Sequence, residues 1–245
     1  IFSRILTHPL DTAKARLQAP SSQYTSVGQV LSRTWRSEGL RGLYRGLDTV
    51  LIAGTPGTIL YLCSYEWIKT RFENDSFITH FAAGMLAETI ACIIYVPVDV
   101  VKERMQINAS YLSSWDALQQ TLKHEGMTGI YRGYGATLAS FGPFSAFYFV
   151  FYEEFKSLSR SKLDKTELPF RWIVLCSASS GALASWLTSP LDMAKLRLQV
   201  QRGNISRNTE STEVVYRGVV DCLQHSYRQA GVRGLFRGAG ARVIH

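Results

Sequence analysis

The chain is short of the residue clusters that most enzymatic chemistry needs. Its four cysteines, Cys63, Cys92, Cys176 and Cys222, show no CxxC or other paired spacing, which argues against a zinc ribbon and a disulfide frame. The five histidines, His8, His80, His124, His225 and His245, are scattered, with no HExxH and no Ser-His-Asp pattern among them. Neither metal-assisted hydrolysis nor nucleophilic catalysis has a motif to rest on, so the sequence is read as that of a non-enzyme without cofactor or metal.

Charge is missing from long stretches as well. Gly133 to Tyr152 and Trp172 to Leu191 each run twenty residues without one, and Thr49 to Tyr65 adds a shorter run. Phe77 to Val98 is interrupted only by His80 and Glu88. About twenty apolar residues are what a helix needs to cross ~30 Å of hydrocarbon, and buried core helices are usually shorter. Four such stretches in 245 residues point to membrane-spanning helices.

What charge there is gathers elsewhere. The formal net charge of +8 would suit a nucleic-acid partner, but 18 of the 27 lysines and arginines lie in three segments, Lys14 to Arg45, Lys102 to Arg132 and Lys195 to Arg237. If the apolar runs span, all three segments fall on one side of the bilayer, and the positive-inside tendency accounts for the basicity without nucleic acid.

Each basic segment opens on the same string: "PLDTAKARLQ" from Pro9, "PVDVVKERMQ" from Pro97 and "PLDMAKLRLQ" from Pro190. Each closes on an aromatic-Arg-Gly triplet, at Arg45-Gly46, Arg132-Gly133 and Arg237-Gly238. The unit is therefore span, PxDxxKxRxQ, polar segment, EG, aromatic-Arg-Gly, span. Helical periodicity over Tyr24 to Ser37 and Trp115 to His124 predicts a short surface helix in the polar segments. The third unit departs, with Ala230 where the others have Glu38 and Glu125, and with an added "QRGNISRNTEST" that reads as a loop.

Three such units resemble the mitochondrial carrier family across nearly the whole chain. Tyr65-Glu66-x-x-Lys69 and Tyr152-Glu153-x-x-Lys156, at the ends of the second and fourth spans, match a second pattern of that family. The resemblance implies an all-α membrane protein: three pseudo-symmetric repeats (1–75, 76–170 and 171–245) of two tilted transmembrane helices plus a short matrix helix, around a central cavity. It also implies a multi-pass monomer of the mitochondrial inner membrane, with a small-molecule solute and cardiolipin as its partners. Only part of helix one and little of helix six are expected here, so the chain reads as a fragment of a longer protein.

In that frame Asp11, Asp99 and Asp192 meet Lys102, Lys195 and Lys14 of neighbouring helices, a ring closing the matrix end of the cavity. Asp and Lys three apart share a helical face, and the motif proline kinks each helix inward. Charges that merely cap helix ends would explain one motif, but not three in register. Gln18, Gln106 and Gln199, four residues past each lysine, are expected to brace the pairs, and Glu66, Lys69, Glu153 and Lys156 to belong to a second gate at the cytoplasmic end. Gly46, Gly133 and Gly238, with the helix starts after them, are expected to hold cardiolipin head groups on free backbone amides.

Residues that break the pseudosymmetry inside the cavity are candidates for the solute. On the odd helices these are Arg4, Ser185 and Glu88, since charges inside spans are functional by default. Eight residues beyond each triplet arginine stand Ala53, Ser140 (followed by Phe141) and His245. An arginine and a glutamate with hydroxyls between them suit a mixed-charge solute. "PLDTAKARLQAP", "AETIACIIYVPVDVVKERMQ" and "YRGYGATLASFGPFS" resemble the S-adenosylmethionine carriers within the family, although Ser140-Phe141 replaces their charged pair. A metal ion, a nucleotide, a carboxylate, or a fragment that does not transport are the alternatives left open.

Overall fold

The computed structural model describes residues 2–19, 22, 24–71, 77–108, 110–163, 169–201, 216–236 and 238–244. Ten helical segments follow one another: α1 (Phe2–Gln18), α2 (Val27–Leu43), α3 (Leu47–Lys69), α4 (Phe77–Ile107), α5 (Ser114–Ile130), α6 (Tyr134–Leu163), α7 (Phe170–Leu187), α8 (Ser189–Val200), α9 (Val219–Leu235) and α10 (Ala239–Ile244). There is no strand among the described residues. The expected insertion after Gln201 lies outside them.

The motif prolines act differently in the three repeats. Pro9 and Pro97 sit inside α1 and α4, whereas the helix carrying Pro190 is interrupted at Thr188, which has φ −88° and ψ 3° and separates α7 from α8. A proline ring removes one main-chain hydrogen bond and crowds the carbonyl four residues back, so each site bends the axis. Beside the break the Thr188 hydroxyl donates to the Ala184 carbonyl at 2.7 Å, which also accepts from the Thr188 amide at 3.0 Å.

The surface helices α2, α5 and α9 are longer than the periodicity predicts. Each continues past a glycine with positive φ, Gly39 (64°), Gly126 (66°) and Gly231 (60°), and restarts beyond it. That conformation strains any residue with a Cβ, and a reading based on amphipathic period stops there. Ser26 and Ser113 cap the first two, their hydroxyls accepting from the Gln29 and Asp116 amides at 3.3 and 3.1 Å.

Three matching apolar clusters pin these helices to the motif helices. Ala13 and Leu17 pack with Val30, Val101 and Met105 with Ala117, and Ala194 and Leu198 with Cys222. Each pair of motif-helix residues lies four and eight beyond its proline, the helical face away from the motif aspartate. Many large apolar side chains of the long helices look outward: Ile52, Ile59, Trp67, Ile78, Ile93 and Val150 are all exposed. A surface of that kind belongs in lipid. By length and composition α3 and the stretch Ile78–Ile107 of α4 are apolar enough to cross a membrane among the described residues. The uncharged runs in α6 and α7 are richer in glycine, serine and threonine than the span in α4.

Candidate functional site: a ring of ion pairs beneath a cavity

Where the three motif helices converge, each aspartate meets the lysine of the next repeat. Lys102 Nζ lies 2.6 Å from Asp11 Oδ2, Lys195 Nζ 2.7 Å from Asp99 Oδ2, and Lys14 Nζ 2.6 Å from Asp192 Oδ2. All six side chains are half-buried, so desolvation cancels part of the Coulomb attraction and the ring is held without being locked.

A second cyclic layer lies one turn further along. Arg16 Nε donates to the Gln106 carbonyl at 2.8 Å, Arg104 Nε to the Gln199 carbonyl at 3.2 Å and Arg197 Nε to the Gln18 carbonyl at 3.2 Å. These carbonyls lie in the last turn of their helices, where the main chain has no helical partner to offer them. The glutamines thus join the closure through their backbones. Their side chains do not brace the ion pairs: Gln106 Nε2 donates to Thr12 Oγ1 at 3.2 Å, and the buried amides of Gln18 and Gln199 make no hydrogen bond. Those two side chains lie under the turns at Gly238 and Gly133, with Cγ atoms 2.9 and 2.7 Å from where a Cβ would stand, so the turns tolerate only glycine.

The same arginines tie down the surface helices. Arg16 makes a bidentate pair with Glu38 at 2.6 and 2.9 Å, and Arg104 one with Glu125 at 2.6 and 3.0 Å. The Arg16 guanidinium holds the Glu38 carboxyl below its usual range. Arg197 instead donates to Ser226 Oγ at 2.8 Å, Ala230 being at the acidic position.

On the other side of the ring the candidate solute residues spread over several helices. Glu88 is buried in α4, accepts a long contact from Cys92 Sγ at 3.7 Å, and its charge interacts with those of Lys195 and Asp99. Ser140 is buried in α6, Phe141, Ala53 and Ser185 are half-buried, and Arg4 is exposed on α1 with no ion pair to Glu88. His245 and Arg237 lie outside the described residues. At the far end Glu66 is exposed, and among the described residues Lys156 pairs with Glu153 of its own helix at 3.7 Å and no ion pair joins α3 to α6.

Two features escaped the sequence reading. Arg242 of α10 brings Nε within 3.7 Å of Asp192 Oδ2, so that acid is shared by two cations. Glu103 of α4 has a buried carboxylate oxygen without a hydrogen bond, close enough to the ring to interact with Lys195, Lys14 and Lys102. The signal for both was their asymmetry: the positions equivalent to Arg242 hold Val50 and Thr137, and those equivalent to Glu103 hold Ala15 and Leu196.

A separate cavity of about 440 Å³ opens between the second and third repeats. Arg132, Gly133, Tyr216, Arg217 and Gly218 line it, so the first residues of both α6 and α9 border it.

The family described as mitochondrial carrier protein matches residues 1–76, 73–163 and 167–245. The chain is 34% identical over 261 residues to mitochondrial substrate carrier family protein E of Dictyostelium discoideum, spanning 97% of this chain and 84% of that protein. It is 33% identical over 245 residues to the mitochondrial S-adenosylmethionine carrier protein of Danio rerio, spanning 96% and 83% respectively. Mitoferrin-1 of Danio rerio is 32% identical over 259 residues, spanning 100% and 76%.

Proposed function

The chain belongs to the mitochondrial carrier family, and from that premise we propose that it carries an amino-acid-bearing solute, with S-adenosylmethionine as the lead, by alternating access. Membership makes it a multi-pass, all-α carrier of a small solute in the mitochondrial inner membrane. The finer reading assigns Asp11, Lys14, Asp99, Lys102, Asp192 and Lys195 to a gate on the matrix side, closed in this structure. Glu66, Lys69, Glu153 and Lys156 belong to the opposite gate. Two gates that close in turn around a midplane site give transport without a continuous channel.

The observation that carries the solute assignment is Glu88, a buried acid inside a span that makes no ion pair among the described residues, although its charge interacts with that of Lys195. An intramembrane carboxylate is costly unless cationic groups come to it, and the sulfonium and amine of S-adenosylmethionine are such groups. Arg4, Ser140 and Ser185 supply the complementary charge and hydroxyls, with Ala53 and Phe141 as apolar walls. The name of the Danio rerio relative supports the same lead.

Thermal unfolding of the purified full-length protein tests it. A solute at 100 times its dissociation constant stabilises the folded state by ~2.7 kcal/mol. S-adenosylmethionine is expected to raise the midpoint, and Glu88→Gln to abolish both that shift and uptake into liposomes while leaving the unliganded midpoint nearly unchanged. No shift with S-adenosylmethionine, and a clear one with another solute, would refute the lead.

The cavity between the second and third repeats supports an anionic lipid, cardiolipin, bound to a monomeric carrier at the α6 and α9 starts. Exposed amides at helix N-termini attract phosphate, and Arg132 and Arg217 add charge. Gly46 and Gly238 are the equivalent positions in the other repeats.

A further inference from the structure

Arg242 is one helical turn from the level of Ala53 and Ser140, because it lies five residues past its triplet arginine where they lie eight past theirs, on the same face. Three observations define its surroundings. Its Nε approaches Asp192 of the ring at 3.7 Å. Its guanidinium stacks over the Phe144 ring of α6 at 5.7 Å. Its Nη1 is buried and has no hydrogen-bond partner. Arg242 therefore stands between the ring and the wall of the cavity, with one edge of its fork committed and another unsatisfied.

A buried guanidinium N–H without an acceptor is costly, and the fork matches the two oxygens of a carboxylate, as it also does a phosphate, while the amino-acid-bearing reading favours the carboxylate. Asp192 Oδ2 faces Lys14 at 2.6 Å and Arg242 Nε at 3.7 Å, yet it too makes no hydrogen bond, so as placed the ion pair leaves Nη1 unsatisfied. The pseudosymmetry strengthens the point: Val50 and Thr137 at the equivalent positions offer no cation, so this charge is not part of the machinery common to the repeats.

We propose that Arg242 is the carboxylate subsite of the carrier, on the floor of the cavity, and that it selects α-amino acids and their derivatives over the corresponding amines. The proposal rests on the amino-acid-bearing reading above and assigns the second pole of that solute. Glu88 takes the cationic part and Arg242 the carboxylate. The contact also couples binding to opening: a carboxylate on Arg242 draws its guanidinium away from Asp192 and leaves that acid to Lys14 alone.

The test compares matched pairs that differ by the carboxylate: S-adenosylmethionine with its decarboxylated form, lysine with cadaverine, and arginine with agmatine. Thermal shifts are titrated on the full-length wild type, Arg242→Gln and Arg242→Lys. The wild type is expected to bind the acid of at least one pair more tightly than the amine, by about 100-fold, because a site built to bond a group rejects the analogue lacking it. Arg242→Gln should bring that ratio to within about threefold while leaving amine affinity unchanged, and Arg242→Lys, which keeps the charge beside Asp192 but not the fork, should fall between. An undiminished preference in both variants overturns the subsite while leaving the solute reading intact. If no acid shifts the wild type, the amino-acid reading and the subsite fail together.

Discussion

In the first two repeats the motif arginine is gripped by a carboxylate of the following surface helix, Arg16 by Glu38 and Arg104 by Glu125, whereas Arg197 in the third meets a hydroxyl of that helix, Ser226, in place of a carboxylate. Yet the ring of aspartates and lysines is complete in all three. The two layers therefore answer to different demands. The ring crosses from repeat to repeat and ties the three motif helices to one another. The arginine–glutamate pairs act within a repeat, fastening a surface helix to its own motif helix, and one of the three can be relaxed without opening the ring.

The comparison breaks most severely at Glu125. Its removal leaves Arg104, 3% exposed, without a counter-charge, and losing one partner of a buried pair costs ~3–5 kcal/mol. Glu125→Ala is expected to lower the unfolding free energy in detergent by that order, and a loss below ~1 kcal/mol would show that the pair does not hold α5. Glu38 is 23% exposed and more screened, so Glu38→Ala should cost only ~1–2 kcal/mol by the same measurement. Ala230→Glu sharpens the contrast from the other side. Giving Arg197 the missing carboxylate should stabilise the third repeat by about 1 kcal/mol or less, because desolvation offsets much of the gain. No change, or a loss, would mean that α9 is seated differently from α2 and α5.

The smallest effect concerns pH. Because Arg16 lowers the Glu38 carboxyl below its usual range, the contribution of that pair is fully present above the unfolded value of about 4.3 and is lost as pH falls through the lower folded value. The stability difference between wild type and Glu38→Gln should thus be constant near neutrality and shrink only below about pH 4.3. A difference that narrows already between pH 7 and 5 would assign the titration to another group.

The architecture was legible because its signals repeat. Three copies of proline, acid, lysine, arginine and glutamine at fixed offsets specify kinked helices and a charged face, and mitochondrial carrier membership follows the same residues. What the pattern hid was local. Helical period cannot show that α2, α5 and α9 resume beyond Gly39, Gly126 and Gly231, since the chain there departs from the geometry the period assumes. The glutamines looked like side-chain braces, but a helix end offers its carbonyls first, and Gly133 and Gly238 leave the amides of Gln199 and Gln18 little room. Arg242 and Glu103 were visible as letters, yet only the packing of α10 and α4 around the ring brings them beside its charges.

The most direct test of the ring is a charge exchange at one of its pairs, read on the unliganded full-length carrier so that no solute need be known. Unfolding free energies are measured for wild type, Asp99→Lys, Lys195→Asp and the double exchange. Each single change sets like charges face to face and should destabilise the protein, while the exchange should recover most of the loss, with a coupling energy above ~1 kcal/mol. If the two single effects simply add in the double variant, Asp99 and Lys195 do not hold each other, and the ring is not what ties the motif helices together.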